Sequence, residues 1–326
     1  MIVNLIIDGN YLMSKNVFPL HKNNLLYGGL YNSLEMSVSQ LRKMYSFSKI
    51  YFVSDFKGKS WRKDVYDKYK ENRKKDNNID WEFVHNTYDE YKEYLKSSTN
   101  IKVLEHQGIE GDDWISFLVD KSNKNGVSNI IITNDYDIKQ LLSYGINPNY
   151  INIMNNEMFS KKKVFFPEGY QLLLNNITSN SNFDDIFNIT NDNDFINLMN
   201  QFIETCEVDV VNPNSIVPIK MISGDSGDNI SSAWVKYSNG KKRGIGDTGA
   251  KSILEKYISE YGDIDIFNDE HVSNLTDIIL ESKKLNSYEY DDILKNLQLN
   301  KKIVSLDINH LPSQIVKKMS DVYNNL

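Results

Sequence analysis

Cysteine is almost absent from this 326-residue chain, which contains only Cys206. One cysteine cannot form an internal disulfide, so the composition is typical of a protein from a reducing cytoplasm. With only five scattered histidines, the scarcity also excludes a zinc site built on the usual cysteine and histidine spacings. Long apolar runs are missing too. None approaches the ~20 residues of a membrane-spanning helix, and the N-terminus lacks the basic segment of a signal peptide.

The net charge of −7 argues at first against a nucleic-acid partner, but the charges are unevenly distributed. Residues 57–75 include nine Lys and Arg against three acids, and residues 236–256 include six against two. Local stripes of positive charge, rather than the total, determine attraction to phosphate. Either run alone could be a solvated helix face, but together they favour a polyanionic partner.

Four short apolar runs separated by helical patterns predict the buried strands of a parallel sheet. They cover residues 2–7, 50–53, 101–104 and 129–133. Asp8, Asp55 and Asp135 follow the first, second and fourth runs. Functional groups in open parallel sheets gather beyond the carboxyl ends of the strands, so we expect these three carboxylates at one edge.

Nine carboxylates are candidates for a metal site. They are Asp8, Asp55, Glu110, Asp112, Asp113, Asp135, Asp137, Asp225 and Asp228. Crowded carboxylates repel one another unless a cation neutralises them, and oxygen-only ligands favour Mg²⁺ or Mn²⁺. Two such ions could activate water and stabilise the leaving oxygen of a phosphodiester. Taken singly, each of these carboxylates could also belong to a helix cap or a turn.

Residues 60–98 are basic and aromatic, with Tyr88 and Tyr91 on one helical face. This pattern fits a helical hairpin whose aromatics pack on the core, or a helical arch that admits single-stranded DNA. Residues 145–218 are Asn-rich and predict a loop-rich insertion with short helices. We therefore predict an α/β core over residues 1–220 and a helical, DNA-binding part over residues 221–326.

Residues 244–251, with the sequence Gly-Ile-Gly-Asp-Thr-Gly-Ala-Lys, match the dinucleotide-binding fingerprint in outline. That fingerprint needs a preceding hydrophobic strand, and the polar residues 238–243 do not predict one. We instead predict a turn between two helices, where glycines and helix N-terminal amides approach a phosphate. Lys241, Lys242, Arg243 and Lys251 would add a sequence-independent attraction. A plain glycine turn and a nucleotide-cofactor site stay open as alternatives.

On these motifs the chain resembles the flap endonuclease and 5′–3′ exonuclease family, whose stand-alone phage members, as in the T-even phages, are often called ribonuclease H. The matching segments are residues 69–73 (Tyr-Lys-Glu-Asn-Arg), 110–113 (Glu-Gly-Asp-Asp), 135–137 (Asp-Tyr-Asp), 224–229 and 244–251. The resemblance implies a three-layer, PIN-like nuclease core, a helical arch and a helix–three-turn–helix. It also implies a structure-specific 5′-nuclease with ribonuclease H activity that removes RNA primers or 5′ flaps during DNA replication.

The resemblance assigns roles by position. Asp8, Asp55, Glu110, Asp112 and Asp113 would hold the ion nearer the chemistry, and Asp135, Asp137, Asp225 and Asp228 the second ion. Lys70 and Arg73 match a basic pair that engages the scissile phosphate, so the expected catalytic residues are Lys70, Arg73, Asp8 and Asp112. The expected DNA contacts are Arg62, Tyr69, Lys70, Arg73, Lys241, Lys242, Arg243, Gly244, Gly246, Gly249 and Lys251.

The implied cofactors are two Mg²⁺ ions, replaceable by Mn²⁺, and a K⁺ ion at the glycine turn. Branched or RNA-primed DNA is the implied substrate, and a single-stranded-DNA-binding protein is a further partner. We expect a cytoplasmic monomer that acts in the host cell if the gene is from a phage. A non-catalytic DNA-junction clamp of the same fold is the alternative.

The chain departs from the family pattern at several points. Gly111 stands where the family usually has Ala, and Asn134 where Gly is commoner. The spacings from Asp137 to Asp225 and from Asn229 to Gly244 are longer than in compact members.

Overall fold

The computed structural model describes residues 3–43, 47–74, 76–144, 151–155, 164–167, 208–238 and 240–326. Its internal contacts divide the chain into two compact units. The first comprises Met1–Gly58, Asp76–Pro213 and Pro312–Leu326, and the second Lys59–Lys75 and Asn214–Leu311. This division differs from the predicted boundary at residue 220, because the basic segment joins the second unit and the C-terminal residues return to the first.

The first unit is built around a sheet that has eight strands among the described residues. They are β1 (Val3–Asp8), β2 (Lys49–Val53), β3 (Lys102–Leu104), β4 (Ser128–Ile132), β5 (Ser143–Tyr144), β6 (Ile151–Asn155), β7 (Val164–Pro167) and β8 (Val208–Val211). Their order is β3-β2-β1-β4-β6-β7-β8, with β5 paired to β6. Only the β5–β6 and β6–β7 pairs are antiparallel. The four predicted strands and the mostly parallel sheet are confirmed.

Helices cover both faces of this sheet, and residues of β1 alternate between the two sides. Leu5 and Ile7 join the core cluster formed with α1 (Gly9–Lys22), α2 (Leu26–Arg42) and α4 (Trp81–Ser98). The side chain of Asn4 points the other way and donates to Ser122 Oγ of α5 (Gly111–Asn123) at 3.0 Å. On α5, Phe117 packs against Tyr323 of α10 (Ser313–Asn324). The result is the three-layer core that the resemblance implied.

The predicted arch region, residues 60–98, is divided between the two units. Its helices are α3 (Arg62–Val65) and α4, and the described residues between them form turns and loops rather than a second long helix. On α4, Val84, Tyr88, Tyr91 and Leu95 are all buried. The interpretation that these aromatic residues pack on the core is therefore confirmed, and they are not available for base stacking.

The predicted insertion over residues 145–218 is not only loop. Strands β6, β7 and β8 extend the sheet, and α6 (Pro213–Ser223) begins within the predicted range. The most Asn-rich stretch, residues 175–200, lies outside the described residues. These strands were not predicted, because Asn152 and Asn155 interrupt the apolar residues of β6, and β7 and β8 are only four residues long.

The second unit is mainly helical. It contains α3, α6, α7 (Asp247–Tyr261), α8 (Asp269–Lys283) and α9 (Tyr290–Val304), with a hairpin of β9 (Val235–Ser238) and β10 (Lys241–Gly244). Met221, Tyr257, Leu275 and Leu297 are fully buried in its core. Among the described residues of either unit, no helix combines the length and apolarity that crossing a bilayer requires.

Candidate active site and nucleic-acid interface

Asp8 lies at the carboxyl end of the interior strand β1 and is 6% exposed. It is also the N-cap of α1, because its Oδ1 accepts the backbone N–H of Tyr11 at 3.0 Å. Its Oδ2 accepts the hydroxyl of Thr133 at 2.6 Å. Thr133 follows the neighbouring strand β4, so two adjacent strand ends position one carboxylate.

Burial raises the pKa of Asp8 to about 6. The hydrogen bonds from Thr133 and Tyr11 oppose this rise, whereas the negative charges of Asp55 and Asp135 add to it. Parallel pairing of β1 with β2 and with β4 places all three carboxylates at the carboxyl edge of the sheet in the first unit. An accumulation of negative charge of this kind is relieved by a cation.

The start of α5 brings a second acidic group to the same edge. The backbone N–H of Gly111 donates to Asp55 Oδ1 at 2.6 Å, and that of Glu110 donates to Asp113 Oδ2 at 3.1 Å. Glu110 and Asp113 are buried, and Asp112 is half-buried. A Cβ atom at position 111 would lie 3.3 Å from Asp55 Oδ1, so glycine allows the helix start to approach Asp55 closely.

Asp135 and Asp137 follow β4 at a short 3₁₀ helix, Tyr136–Leu141. Asp135 Oδ1 accepts the backbone N–H of Asp137 at 2.9 Å, and the backbone N–H of Asp135 donates to Thr133 Oγ1 at 3.1 Å. Thr133 therefore connects Asp8 to Asp135 through one hydroxyl. Thr133 was not among the predicted site residues, although its position two residues before Asp135 places it beside the same strand end.

Asp225 and Asp228 lie in the second unit, in the turn that follows α6. Asp225 Oδ1 accepts the backbone N–H of Gly227 at 2.8 Å, and its Oδ2 lies 2.6 Å from Lys220 Nζ. Burial alone would raise the pKa of Asp225, but the Lys220 ammonium and the backbone donors outweigh it and lower the pKa below 3.8. Lys220 was not among the predicted site residues.

The segment that contains Lys70 and Arg73 is bound to this same turn. The backbone N–H of Lys70 donates to the Asp228 carbonyl at 2.9 Å, and Asn72 Nδ2 donates to the Ser226 carbonyl at 2.7 Å. The Arg73 guanidinium forms an ion pair with the Asp228 carboxylate. Within the second unit, the backbone of Lys70 and the side chain of Arg73 thus both contact Asp228, one of the predicted metal ligands.

Two predicted DNA contacts are wrong. Arg62 is 3% exposed, and its Nε donates to the Ile303 carbonyl at 2.9 Å. Tyr69 is 3% exposed and belongs to the core of the second unit. Both residues stabilise the fold, and their side chains are too buried to contact a DNA backbone.

The glycine motif lies between a β-hairpin and a helix, not between two helices as predicted. The exposed strand β10 ends at Gly244, and Gly246 is the N-cap of α7. Ile245 donates its N–H to Ser232 Oγ at 2.9 Å, which anchors the turn. Gly246 provides no side-chain cap, so the first amides of α7 keep the anion-binding capacity of a helix N-terminus. Lys241, Lys242, Arg243 and Lys251 are exposed around it.

The described side chains do not form a preassembled metal cage. In the part of the chain that the structure describes, no three acidic, histidine or cysteine residues could hold a metal ion as they lie. Asp55, Asp113 and Asp135 use oxygen atoms to accept backbone N–H groups. Mg²⁺ keeps several waters and usually binds one or two carboxylates, so this oxygen-only donor set fits a hydrated divalent ion. The grouping of all nine carboxylates into one site stays a prediction.

The first unit is a mostly parallel α/β sheet with carboxylates at its carboxyl edge, an arrangement shared by several classes of metal-dependent enzyme. The family model for the 5′–3′ exonuclease N-terminal resolvase-like domain matches residues 3–167. The chain belongs to this 5′–3′ exonuclease family.

The chain is similar to two curated 5′–3′ exonucleases. It is 27% identical to one from Buchnera aphidicola subsp. Schizaphis graminum over 164 residues, which are 49% of this chain and 55% of that protein. It is 24% identical to one from Mycoplasmopsis pulmonis over 258 residues, 78% of this chain and 67% of that protein. The chain thus spans little more than half of the first of these relatives.

Solved structures of bacteriophage T5 proteins share the fold. A T5 flap endonuclease in a pseudo-enzyme–product complex with DNA and metal ions has a TM-score of 0.57 and 17% identity, covering 99% of this chain and 98% of that one. A T5 5′-exonuclease with bound zinc has a TM-score of 0.56 and 16% identity, with the same coverage. At this identity the likeness establishes the fold alone.

Proposed function

We propose that this chain is a structure-specific 5′-nuclease that hydrolyses phosphodiester bonds in 5′-flap or RNA-primed DNA with the help of divalent ions. The observation that carries the proposal is the acidic edge of the sheet, where the buried Asp8 is influenced by the charges of Asp55 and Asp135. Membership of the exonuclease family and the DNA complex of the T5 flap endonuclease support it.

In this proposal, Asp8, Asp55, Glu110, Asp112 and Asp113 of the first unit offer oxygen ligands to one Mg²⁺ or Mn²⁺ ion. Asp135, Asp137, Asp225 and Asp228 would hold the second ion. When bound, such ions lower the pKa of water and stabilise a leaving oxygen. Lys70 and Arg73 attract and orient the scissile phosphate, because cations near it favour the charge that develops in the transition state.

The second unit supplies the proposed contact with duplex DNA. Backbone N–H groups at the start of α7 donate to a phosphate, and Lys251 and the neighbouring basic residues add long-range attraction. A K⁺ ion at Gly244–Gly249 and a single-stranded-DNA-binding partner remain proposals that rest on the family resemblance. A monomer in the cytoplasm is the corresponding proposal for the state and location of the protein.

One observation favours a non-catalytic DNA-junction clamp as the second candidate. Arg73 pairs with Asp228 and Lys220 with Asp225, so internal cations already neutralise two proposed ligands. A clamp would bind flap DNA and leave it intact.

A cleavage assay separates the two candidates. A 5′-flap duplex and an RNA-primed duplex are incubated with the protein in Mg²⁺, in Mn²⁺ and in EDTA. We expect cleavage that depends on the ion, leaves a 5′-phosphate, and is abolished by Asp112→Asn. Asp120→Asn is the matched control, because Asp120 lies on the same helix but pairs with Lys124. Flap binding without cleavage in either metal would select the clamp.

A further inference from the structure

A cavity of about 360 Å³ lies in the first unit, at the amino ends of β2 and β3. Lys49 begins β2 and lines this cavity, whereas Asp55 lies beyond the carboxyl end of the same strand. The six steps from residue 49 to residue 55 cover about 20 Å of extended chain. The cavity is therefore at the edge of the sheet opposite the acidic edge, and the proposed catalysis makes no use of it.

Two lysines line the cavity from one face of the sheet. Tyr51 pairs with Lys102 on the neighbouring strand, and Lys49 precedes Tyr51 by two residues, so the three side chains leave the sheet on the same side. Lys49 is exposed and forms no ion pair within the part of the chain that the structure describes. Lys102 Nζ donates to a main-chain oxygen of Leu326 at 2.6 Å, and an ammonium group has two further donors. None of the described residues that line the cavity is acidic.

The remaining wall offers neutral donors and ring surface. The hydroxyl groups of Tyr51 and Tyr323 are 3.3 Å apart, so one donates to the other and the accepting hydroxyl keeps its own proton. Burial raises the pKa of Tyr51, which keeps its hydroxyl neutral. Asn100 accepts from Arg42 through Oδ1 at 3.4 Å, which leaves the amide nitrogen of Asn100 to donate. The half-buried ring of Phe47 completes the wall.

We propose that this cavity binds a nucleoside monophosphate, with its phosphate between Lys49 and Lys102 and its base against the rings of Phe47 and Tyr323. Ligand pockets usually enclose about 300–1,000 Å³ and combine apolar walls with a few polar groups, and this cavity has that size and composition. A phosphate monoester carries about 1.5–2 negative charges at pH 7, which matches two ammonium groups. An inorganic phosphate would fill only a fraction of the space. The inference concerns a second site and does not depend on the proposed catalysis.

Calorimetric titration of the unmodified protein tests the proposal. The probes are thymidine 5′-monophosphate and adenosine 5′-monophosphate, in EDTA so that no metal-bound nucleotide contributes. Thymidine, ribose 5-phosphate and inorganic phosphate each lack one part of the ligand. We expect one site per chain that binds a monophosphate at least about 10-fold more tightly than any of these three, because each lacks a charged hydrogen bond or a ring contact. Equal binding of inorganic phosphate, or no saturable binding of either nucleotide, would overturn the proposal.

Variants locate the bound nucleotide. Lys49→Gln with Lys102→Gln should weaken binding by about 100-fold, since a hydrogen bond to a charged group contributes about a factor of 10 or more. Ser48→Trp changes no charge but fills the cavity from an exposed position in its wall, and it should abolish binding. Lys317→Gln with Lys318→Gln is the matched control, because it removes two exposed charges of α10 that do not line the cavity. Unchanged affinity in either cavity variant, or an equal loss in the control, would refute the assignment. Thermal melting verifies that each variant remains folded.

A flap-DNA assay separates this site from the nucleic-acid interface. Lys49→Gln with Lys102→Gln should bind and cleave a 5′-flap duplex as the unmodified protein does. A weaker affinity for the flap would assign the two lysines to DNA and overturn the proposal. If the unmodified protein binds the mononucleotide but cleaves no flap, the proposed function fails and this inference stands. If it cleaves the flap and binds no mononucleotide, only this inference is wrong.

Discussion

Lys220 Nζ lies 2.6 Å from Asp225 Oδ2, and the two side chains are only 17% and 22% exposed. The pair neutralises a carboxylate that the proposed mechanism assigns to a divalent ion. Any ion that binds Asp225 must therefore compete with a lysine from the same unit.

Lys220→Met should destabilise the metal-free protein at pH 7 by roughly 1–3 kcal/mol, because a partly buried carboxylate loses its partner. The pKa of Asp225 is lowered in the folded state, so its contribution to stability is present above pH 3.8 and is lost as the pH falls below it. Urea unfolding in EDTA should show a larger difference at pH 7 than at pH 3. Lys220→Arg is the control, and equal stability of all three proteins at pH 7 would contradict the prediction.

Asp8→Asn should stabilise the metal-free protein at pH 7.5. The pKa of Asp8 is raised to about 6 in the folded state. The protonated carboxyl therefore favours the folded protein relative to the ionised one, and this stabilisation is complete below pH 3.8 and is lost as the pH rises through about 6. Asparagine avoids this loss, on the order of 1–3 kcal/mol, and still caps α1. Denaturant unfolding in EDTA should show the gain at pH 7.5 and not at pH 3.5. A less stable variant at pH 7.5 would refute the electrostatic explanation.

Arg62→Ala should unfold more easily without a specific change in DNA binding. The guanidinium is buried and donates to the Ile303 carbonyl, and loss of a hydrogen bond from a charged group costs about 1.5–3 kcal/mol. Chemical unfolding is measured together with the slope of log DNA affinity against log salt concentration, which reports the number of phosphate contacts. A variant that is as stable as the unmodified protein, but whose DNA affinity depends less on salt concentration, would show that Arg62 contacts DNA.

Gly244→Ala and Gly246→Ala should differ in stability, although the two glycines belong to one motif. A Cβ atom at position 244 would lie 2.7 Å from Ser232 Cβ, whereas at position 246 it meets no atom within 4 Å. Overpacking of this kind costs about 1–3 kcal/mol. Thermal unfolding should show a clear loss for Gly244→Ala and little for Gly246→Ala, and equal losses would count against this difference in packing.

Lys70→Ala should reduce the rate of cleavage by roughly 100-fold while weakening DNA binding much less. An interaction that strengthens in the transition state affects turnover more than binding. Single-turnover rates and binding constants separate the two effects. Lys68→Ala is the matched control in the same turn, and equal losses of rate and affinity in Lys70→Ala would refute the assignment.

The sheet could be predicted because each of its first four strands is a short, continuous apolar run. Three of those runs are followed by an aspartate, and parallel pairing places Asp8, Asp55 and Asp135 at one edge. The burial of Arg62 could not be read from the sequence, because a basic residue in a basic segment looks exposed until its packing is known. The β9–β10 hairpin was missed for a related reason, since Lys241–Gly244 contains three cations and no apolar alternation.

The interleaving of the two units limits how this gene can be divided. A fragment that ends after residue 220 would lack Tyr323, which packs on Phe117 in the first core. It would keep Tyr69, whose core lies mostly in the missing part. A single crossover with a related gene near residue 220 would give a hybrid in which both cores combine residues from the two parents, so exchanging one unit intact requires several junctions.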